Sequence, residues 1–166
     1  MKSKSAYILI LLLIVLSFLG ACQSESKNTA AALSPVEVVV KHYVAKKTND
    51  RDAWLSTMTE ENKEFLDSKH LDYGLIKLEI NQIYELSGEE LENRINSALD
   101  GTTAKELNLS ADNISYVNVK FTAEYDNTKV SDSSGTMEWT YVLIRKNKDS
   151  PWLIQAWGVG RSNMLG

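Results

Sequence analysis

The chain has 166 residues, of which 24% are charged, and its formal net charge at pH 7 is −4. A mildly acidic chain with scattered lysines lacks the basic face that nucleic-acid binding requires, so no nucleic-acid partner is expected. Its single cysteine, Cys22, excludes an internal disulfide.

The N-terminus has the pattern of a secretory signal peptide over residues 1–21. Lys2 and Lys4 precede an apolar run from Tyr7 to Phe18, and small residues follow before Cys22. Leu19-Gly20-Ala21-Cys22 resembles the lipobox of bacterial lipoproteins, in which the cysteine receives a thioether-linked diacylglycerol and the signal is cleaved just before it. The resemblance implies a mature protein that begins at Cys22 and is lipid-anchored on the outer face of the bacterial cell membrane.

An uncleaved anchor helix is the alternative for this segment. The apolar run is shorter than the roughly 20 residues that span a bilayer, and an anchor helix does not explain the position of Cys22. Lipid on Cys22 would consume the thiol and exclude a thiolate metal site and cysteine catalysis.

Without residues 1–21 the chain keeps 16 of its 18 basic residues and all 22 acidic ones, a charge of −6. We therefore expect the diacylglycerol alone to hold the protein on the membrane.

Residues 22–33 are small and polar and predict a flexible tether, followed by a single domain over residues 34–166. Such a tether has a root-mean-square reach of roughly 20 Å. The domain begins at Ser34-Pro35-Val36-Glu37, where serine at the N-cap and glutamate at N3 predict a capping box.

Three helices are predicted before the first strand. The first runs from Pro35 to about Lys47 and the second covers residues 50–58. Thr59 is expected to cap the third, which buries Phe65 and Leu66. The apolar face predicted for the first helix consists of Val36, Val39, Val40, Tyr43 and Val44, and that of the second consists of Trp54, Leu55 and Met58.

Strands and one further helix follow. Alternation over residues 75–80 places Ile76, Leu78 and Ile80 on one buried face, and the strand continues to Leu86 with a phase slip near Gln82. Ser87 predicts a second capping box, and its helix ends at Asp100-Gly101. The apolar stripe of that helix consists of Leu91, Ile95, Ala98 and Leu99. Three hairpin-connected strands are predicted at Ile114–Tyr125, Thr136–Arg145 and Trp152–Val159.

Helices first and an antiparallel sheet afterwards indicate a segregated α+β fold, with the N-terminal helices packed on a curved, cone-like sheet. The residues expected to face inward from the first two of the three long strands are Val117, Val119, Phe121, Ala123, Tyr125, Met137, Trp139, Tyr141 and Leu143. No acid stands among them.

A resemblance to a known superfamily rests on three motifs. They are the first helix with Ser34, Pro35, Val39, Tyr43 and Ala45, the turn Asn49-Asp50 with Asp52-Ala53-Trp54, and the closing segment 152–158. Together they resemble the cone-shaped α+β fold of the nuclear-transport-factor-2-like superfamily over about residues 34–160. More narrowly, the chain is similar to secreted Gram-positive lipoproteins with one such domain. The helix at 88–99 is either the strand-crossing element or an insertion.

The superfamily includes isomerases, dehydratases and many non-catalytic binding modules. The resemblance implies a pocket between the sheet and the helices, and frequent dimerisation through the outer face of the sheet. Fold therefore leaves function open.

Catalytic and metal-binding candidates are few. His42 is expected at the exposed edge of the first helix, and His70 lies in a loop where Asp72 is its nearest carboxylate in sequence. The two histidines lack zinc-site spacing, and Asp126-Asn127 with Asp132 lacks the spacing of a calcium loop. We therefore expect no catalytic residue, no metal and no cofactor.

Aromatic residues are the remaining signal, either as core and cross-strand pairs or as the lining of a pocket or interface. The candidate pocket or interface residues are Tyr43, Trp54, Trp139, Tyr141 and Trp157. If the sheet is used for contact, an aromatic residue such as Trp139 or Tyr141 on its outer face would support self-association.

The favoured function is a membrane-tethered, non-catalytic module that binds a protein, a second copy of itself or a small apolar ligand. The alternative is a cell-envelope enzyme of isomerase or dehydratase type, which would require a buried carboxylate or histidine near a tyrosine. A structural spacer or immunity-type lipoprotein is a third hypothesis.

Overall fold

A computed structural model describes residues 32–67 and 74–159 of the chain. The signal peptide, Cys22 and most of the tether lie outside the described residues, as do His70 and Asp72. The helices are α1 (Pro35–Thr48), α2 (Arg51–Leu55), α3 (Glu60–Asp67), α4 (Gly88–Asp100) and α5 (Thr102–Glu106), with a 3-10 turn at Ala111–Asn113. The strands are β1 (Leu75–Glu85), β2 (Ile114–Tyr125), β3 (Gly135–Ile144) and β4 (Leu153–Gly158).

The four strands form one antiparallel sheet in the order β1-β2-β3-β4. This confirms the α+β class and the hairpin meander of the last three strands. β1 continues past Ile80 with a register shift between Ile80 and Gln82, where the sequence predicts a phase slip. β1 and β2 are neighbours in the sheet, although α4 and α5 lie between them in the chain.

The capping box at the start of α1 is confirmed. The Ser34 hydroxyl accepts a bond from the Glu37 backbone N–H at 3.3 Å, and the Glu37 carboxylate accepts one from the Ser34 N–H at 2.8 Å. The Ser34 backbone N–H and the Ser34 hydroxyl both donate to the Glu37 carboxylate, and these two bonds hold the pKa of Glu37 below its usual value. The helix ends at Asn49, whose φ of 56° is left-handed, so the predicted break is also confirmed.

The buried face of α1 differs from the prediction. Val44 is 53% exposed, and Val36 and Val40 are only half-buried. Valines surround this helix on most sides, so hydrophobic periodicity alone could not select a face. The side chains that α1 buries are Pro35, Val38, Val39, His42, Tyr43 and Ala45.

The main core lies between the sheet and helices α1 to α3. The predicted inward residues Val117, Val119, Phe121 and Ala123 of β2 are buried there, as are Tyr141 and Leu143 of β3. Trp54 and Met58 of the second predicted helix are buried against the same face, and α3 contributes Leu66. The Phe65 side chain lies outside the described part of the chain.

A second core lies on the opposite face of the sheet, which the sequence did not predict to be covered. The apolar stripe of α4 packs there against the ends of β2 and β3. Its buried members are Leu86, Ile95, Ala98, Ile114, Tyr116, Val142 and Ile144, with Leu91 and Leu99 half-buried beside them. The start of β2 is therefore buried on both faces, which confirms the apolar stripe of α4 and corrects the expectation of helices on one face only.

Three local predictions are wrong. Ile76 is 62% exposed because a register shift between Leu75 and Lys77 turns Leu75 toward the core instead. Ser87 precedes α4 as the N-cap but makes no side-chain cap bond. Thr59 precedes α3, yet its buried hydroxyl has no hydrogen-bond partner among the described residues.

Trp139 and Tyr141 do not lie on the outer face of the sheet. Both belong to the main core, since they pair with Val119 and Val117 across the β2–β3 ladder and share the face of those residues. The outer positions of the same strands are polar and include Thr122, Thr136, Lys120 and Glu138. No helix of the described residues is long and apolar enough to cross a membrane.

The two N-cap serines provide a matched test of helix capping. Ser34→Ala removes a complete capping box and should lower the free energy of unfolding by about 1 kcal/mol. Ser87→Ala removes a hydroxyl that caps nothing and should change it by only a few tenths. Urea denaturation of the two variants measures both values, and equal losses would contradict the capping geometry.

Candidate functional site

His42 lies in the main core, at 2% exposure, and not at the exposed edge of α1 that the sequence predicts. The rotated face of α1 turns its ring inward beside Tyr43. Four aromatic rings surround the imidazole with centroids 5.7–6.3 Å from its own, those of Tyr43, Trp54, Tyr141 and Trp157.

Both ring nitrogens of His42 are used in hydrogen bonds. Trp54 Nε1–H donates to His42 Nε2 at 3.2 Å, so that nitrogen must be unprotonated. The proton of the neutral ring then sits on Nδ1 and is donated to Thr57 Oγ1 at 3.0 Å. The Thr57 hydroxyl donates onward to the Trp54 carbonyl at 2.6 Å, which closes the network.

Burial lowers the pKa of His42 well below its usual value, and the positive charge of Lys46 acts in the same direction. The ring is therefore neutral at physiological pH. Beside it, the Tyr141 hydroxyl donates to the Tyr43 hydroxyl at 3.0 Å, and burial raises the pKa of Tyr43. These groups hold α1, α2 and β3 together, and none of the atoms shown bonded to His42 in the described part of the chain belongs to a carboxylate.

The five predicted pocket or interface residues take different positions. Tyr43, Trp54 and Tyr141 are buried in the network just described. Trp139 and Trp157 are half-buried on the same face of the sheet, and Trp139 packs edge-on against Phe121 at 5.2 Å.

Asp126 stabilises the turn that follows β2. Its carboxylate accepts bonds from Thr128 and pairs with Lys129 at 3.0 Å. The Thr128 hydroxyl and Lys129 together lower the pKa of Asp126 to about 2. Within residues 32–67 and 74–159, no group of three or more His, Cys, Asp or Glu side chains is placed to hold a metal ion.

An accessible polar cleft of about 440 Å³ lies on the opposite face of the sheet. The sheet register places Tyr84, Asn118 and Thr140 directly opposite one another on β1, β2 and β3. Thr140 donates to Asn118 Oδ1 at 2.7 Å, and Asn118 Nδ2 donates to the Tyr84 hydroxyl at 3.2 Å. These three residues, which we call the polar row, form the floor of the cleft.

Arg94 of α4 lines the same cleft. Its side chain is only 17% exposed, and its Nη2 donates to Glu90 at 3.1 Å. The guanidinium carbon lies 5.8 Å from the centre of the Tyr116 ring, and the Tyr116 hydroxyl donates to the Arg94 carbonyl at 3.3 Å. Arg94 Nη1 is buried and has no hydrogen-bond partner among the described residues.

An unpartnered buried donor costs about 1–3 kcal/mol, so Arg94 is not placed for stability alone. The cleft also contains Glu90 and Glu138, which leaves its lining with one positive and two negative charges. An anionic ligand would be repelled by these carboxylates. A small neutral ligand with acceptors for Arg94 and hydroxyl or amide groups for the polar row fits the cleft better.

Sequence reasoning missed this cleft. Glu89, Glu90 and Glu92 indicate a solvated helix face, and Arg94 on the same helix gives no signal of burial. The available clue is Asn118, a polar residue between two valines of β2. Only the strand register and the side on which α4 packs bring it together with Arg94.

A model of the family described as "Domain of unknown function (DUF4829)" matches residues 36–158, about three quarters of the chain. Comparison with curated proteins gives no match. Comparison with solved structures likewise gives none.

The neutral state of His42 predicts how stability depends on pH. Unfolded His42 takes up a proton below a pH of about 6.5, whereas the folded ring resists protonation. The free energy of unfolding should therefore fall as pH decreases from 7 to 5, by up to about 1.4 kcal/mol per pH unit below 6.5.

Urea denaturation at several pH values, for the wild type and His42→Gln, measures this dependence. The variant is less stable at pH 7 because it breaks the network, but its profile should be flatter between pH 7 and 5. Parallel profiles would show that the pKa of His42 is not lowered in the folded protein.

Proposed function

We propose that this chain, which belongs to the DUF4829 family of domains of unknown function, is a membrane-tethered, non-catalytic binding module of the bacterial cell envelope. Its ligand site is the cleft between Arg94 and the polar row. The observation that carries the proposal is the Arg94 side chain, which lines the open cleft and is only 17% exposed, and whose Nη1 has no hydrogen-bond partner among the described residues.

The tether rests on the lipobox-like sequence Leu19-Gly20-Ala21-Cys22. Diacylglycerol on Cys22 places the domain on the outer face of the membrane, since two acyl chains suffice for stable anchoring. We propose that the fold is of the cone-like, nuclear-transport-factor-2-like type. The packing of helices α1 to α3 on one face of the antiparallel sheet supports this proposal. In this view α4 is an addition that builds the ligand cleft on the other face.

A binding role is favoured over isomerase or dehydratase activity by the state of His42. General acid–base catalysis requires a titratable group within hydrogen-bond reach of the substrate. His42 is buried, both of its nitrogens are already bonded, and its pKa is too low for proton exchange near neutral pH.

The ligand is a small, neutral molecule rich in hydroxyl or amide groups. The Arg94 guanidinium donates to one of its oxygens, and the exposed Tyr84 ring at the end of the polar row offers a surface for stacking. Glu90 and Glu138 accept from its hydroxyl or amide hydrogens and disfavour a negatively charged ligand of the same size.

The stability of two arginine variants tests whether Arg94 is kept for binding. Arg94→Met removes an unsatisfied donor and should leave the free energy of unfolding unchanged within about 0.5 kcal/mol, or raise it. Arg145→Met is the matched control, since Arg145 donates two bonds to the Asp112 carbonyl and lies 4.4 Å over the Trp152 ring. It should lose about 1–2 kcal/mol in urea denaturation. A loss of that size for Arg94→Met would mean that Arg94 has a structural role.

Binding can be measured with two probes of similar size. In an NMR titration, neutral N-acetylglucosamine should shift the backbone signals of Asn118 and Thr140, and anionic glucuronate should shift them less. Arg94→Met should abolish the shifts and Arg145→Met should retain them. If neither probe shifts these signals, or if glucuronate binds more tightly, the assigned ligand class is wrong.

Anchoring is tested by Cys22→Ser. The variant cannot accept the thioether-linked lipid, so it should leave the detergent phase and appear in the medium or as an uncleaved precursor. Detergent phase partitioning and the mass of the mature N-terminus report both outcomes. Equal partitioning of wild type and variant would overturn the lipid attachment.

A further inference from the structure

An apolar groove of about 630 Å³ lies at one end of the domain, away from the Arg94 cleft. We call it the end groove. Its apolar wall consists of Leu107, Leu109, Ile144, Pro151 and Leu153. Leu107 is 49% exposed, although it follows the last turn of α5 and could have been buried against α4.

The first described residues of the domain lie at this same end. Leu33 lines a smaller cleft that shares Pro151 and Leu153 with the end groove. Leu33 is itself 42% exposed, so a second apolar side chain is open to solvent here. The chain therefore enters the domain beside the end groove.

The distance from this entry point to the lipid is limited by covalent geometry. Cys22 precedes Ala32 by ten residues. Even fully extended, ten residues span at most about 36 Å, and a flexible chain of that length averages roughly half of this. Because the anchor keeps this end of the domain close to the bilayer, the effective concentration of the domain at the lipid surface is high. Weak contacts then suffice for docking.

The rim of the end groove has balanced charge. The charged residues that line it are Arg145 and Lys146, with Glu60 and Glu106. The half-buried Trp152 ring lies beneath Arg145 in the adjacent cleft, an amphipathic pair of the kind that suits the headgroup region of a bilayer. Docking on the bilayer would thus depend on the apolar wall and would not require negatively charged headgroups.

We propose that the end groove is the membrane-facing surface of this domain and docks on the phospholipid surface that holds its anchor. The proposal rests on the lipid attachment at Cys22 put forward above. Docking would fix the orientation of the domain, with the end of the sheet that carries Gly135 and Ala123 pointing away from the bilayer.

Site-specific labelling of the full-length lipoprotein tests this orientation. With Cys22 acylated, Leu107→Cys supplies the only free thiol, and Lys146→Cys supplies a second position on the groove rim. Ile76→Cys is the matched control because Ile76 is also an exposed aliphatic residue, but it lies on the far edge strand and at the opposite end of the sheet. Each protein is labelled with bimane and reconstituted into phosphatidylcholine vesicles that contain nitroxide-labelled lipid.

We expect the label at 107 or 146 to be quenched at least threefold more than the label at 76, with no change when phosphatidylglycerol is added. Equal quenching at the two ends would overturn docking while leaving the anchor intact. If the labels at 107 and 146 are not quenched by the nitroxide lipid but quench one another as the protein density rises, the end groove contacts a second copy of the chain. That result also overturns the proposal. If the unmodified lipoprotein fails to float with the vesicles, the anchor itself is wrong.

Discussion

The fold depends on the first half of β2, which is buried on both of its faces. There, Val117 and Val119 face α1 to α3 on one side, and Ile114 and Tyr116 pack with α4 on the other. Because side chains alternate along a strand, a slip of one residue would exchange the two faces and place Asn118 inside the main core. The pairing of β2 with β1 and β3 is thereby held in a single register. The polar row exists because that register sets Tyr84, Asn118 and Thr140 opposite one another.

The buried polar groups on the two faces of the sheet differ in whether they have hydrogen-bond partners. Under α1 and α2, His42 has a partner for each nitrogen and is kept neutral, so the network stabilises the packing of aromatic rings. On the other face, Arg94 pairs Nη2 with Glu90 and leaves Nη1 buried without a partner in the described part of the chain. A satisfied network indicates structure, whereas a costly unsatisfied donor beside an open cleft indicates a ligand. This contrast is why the proposed ligand site lies outside the main core.

The two proposed surfaces are compatible with each other. The end groove lies where β3 ends and β4 begins, and the chain enters the domain beside it. The Arg94 cleft lies on the face of the sheet next to α4, and Val159, which follows β4, is among its lining residues. A domain docked through the end groove would leave that cleft open to the envelope space.

The sequence by itself determined the features that depend on neighbouring residues. The capping box at Ser34, the three long strands, the hairpin order and the slip near Gln82 follow from local hydrogen bonding, turn residues and period-two alternation. Tertiary structure alone decided which face of α1 is buried, because its valines offered several faces of similar hydrophobicity. It also decided the side of the sheet on which α4 packs, and hence the environment of Arg94. His42 was predicted to be exposed because its partners, Trp54 and Thr57, belong to another helix and the turn after it, and no local pattern reveals a hydrogen bond made across a core.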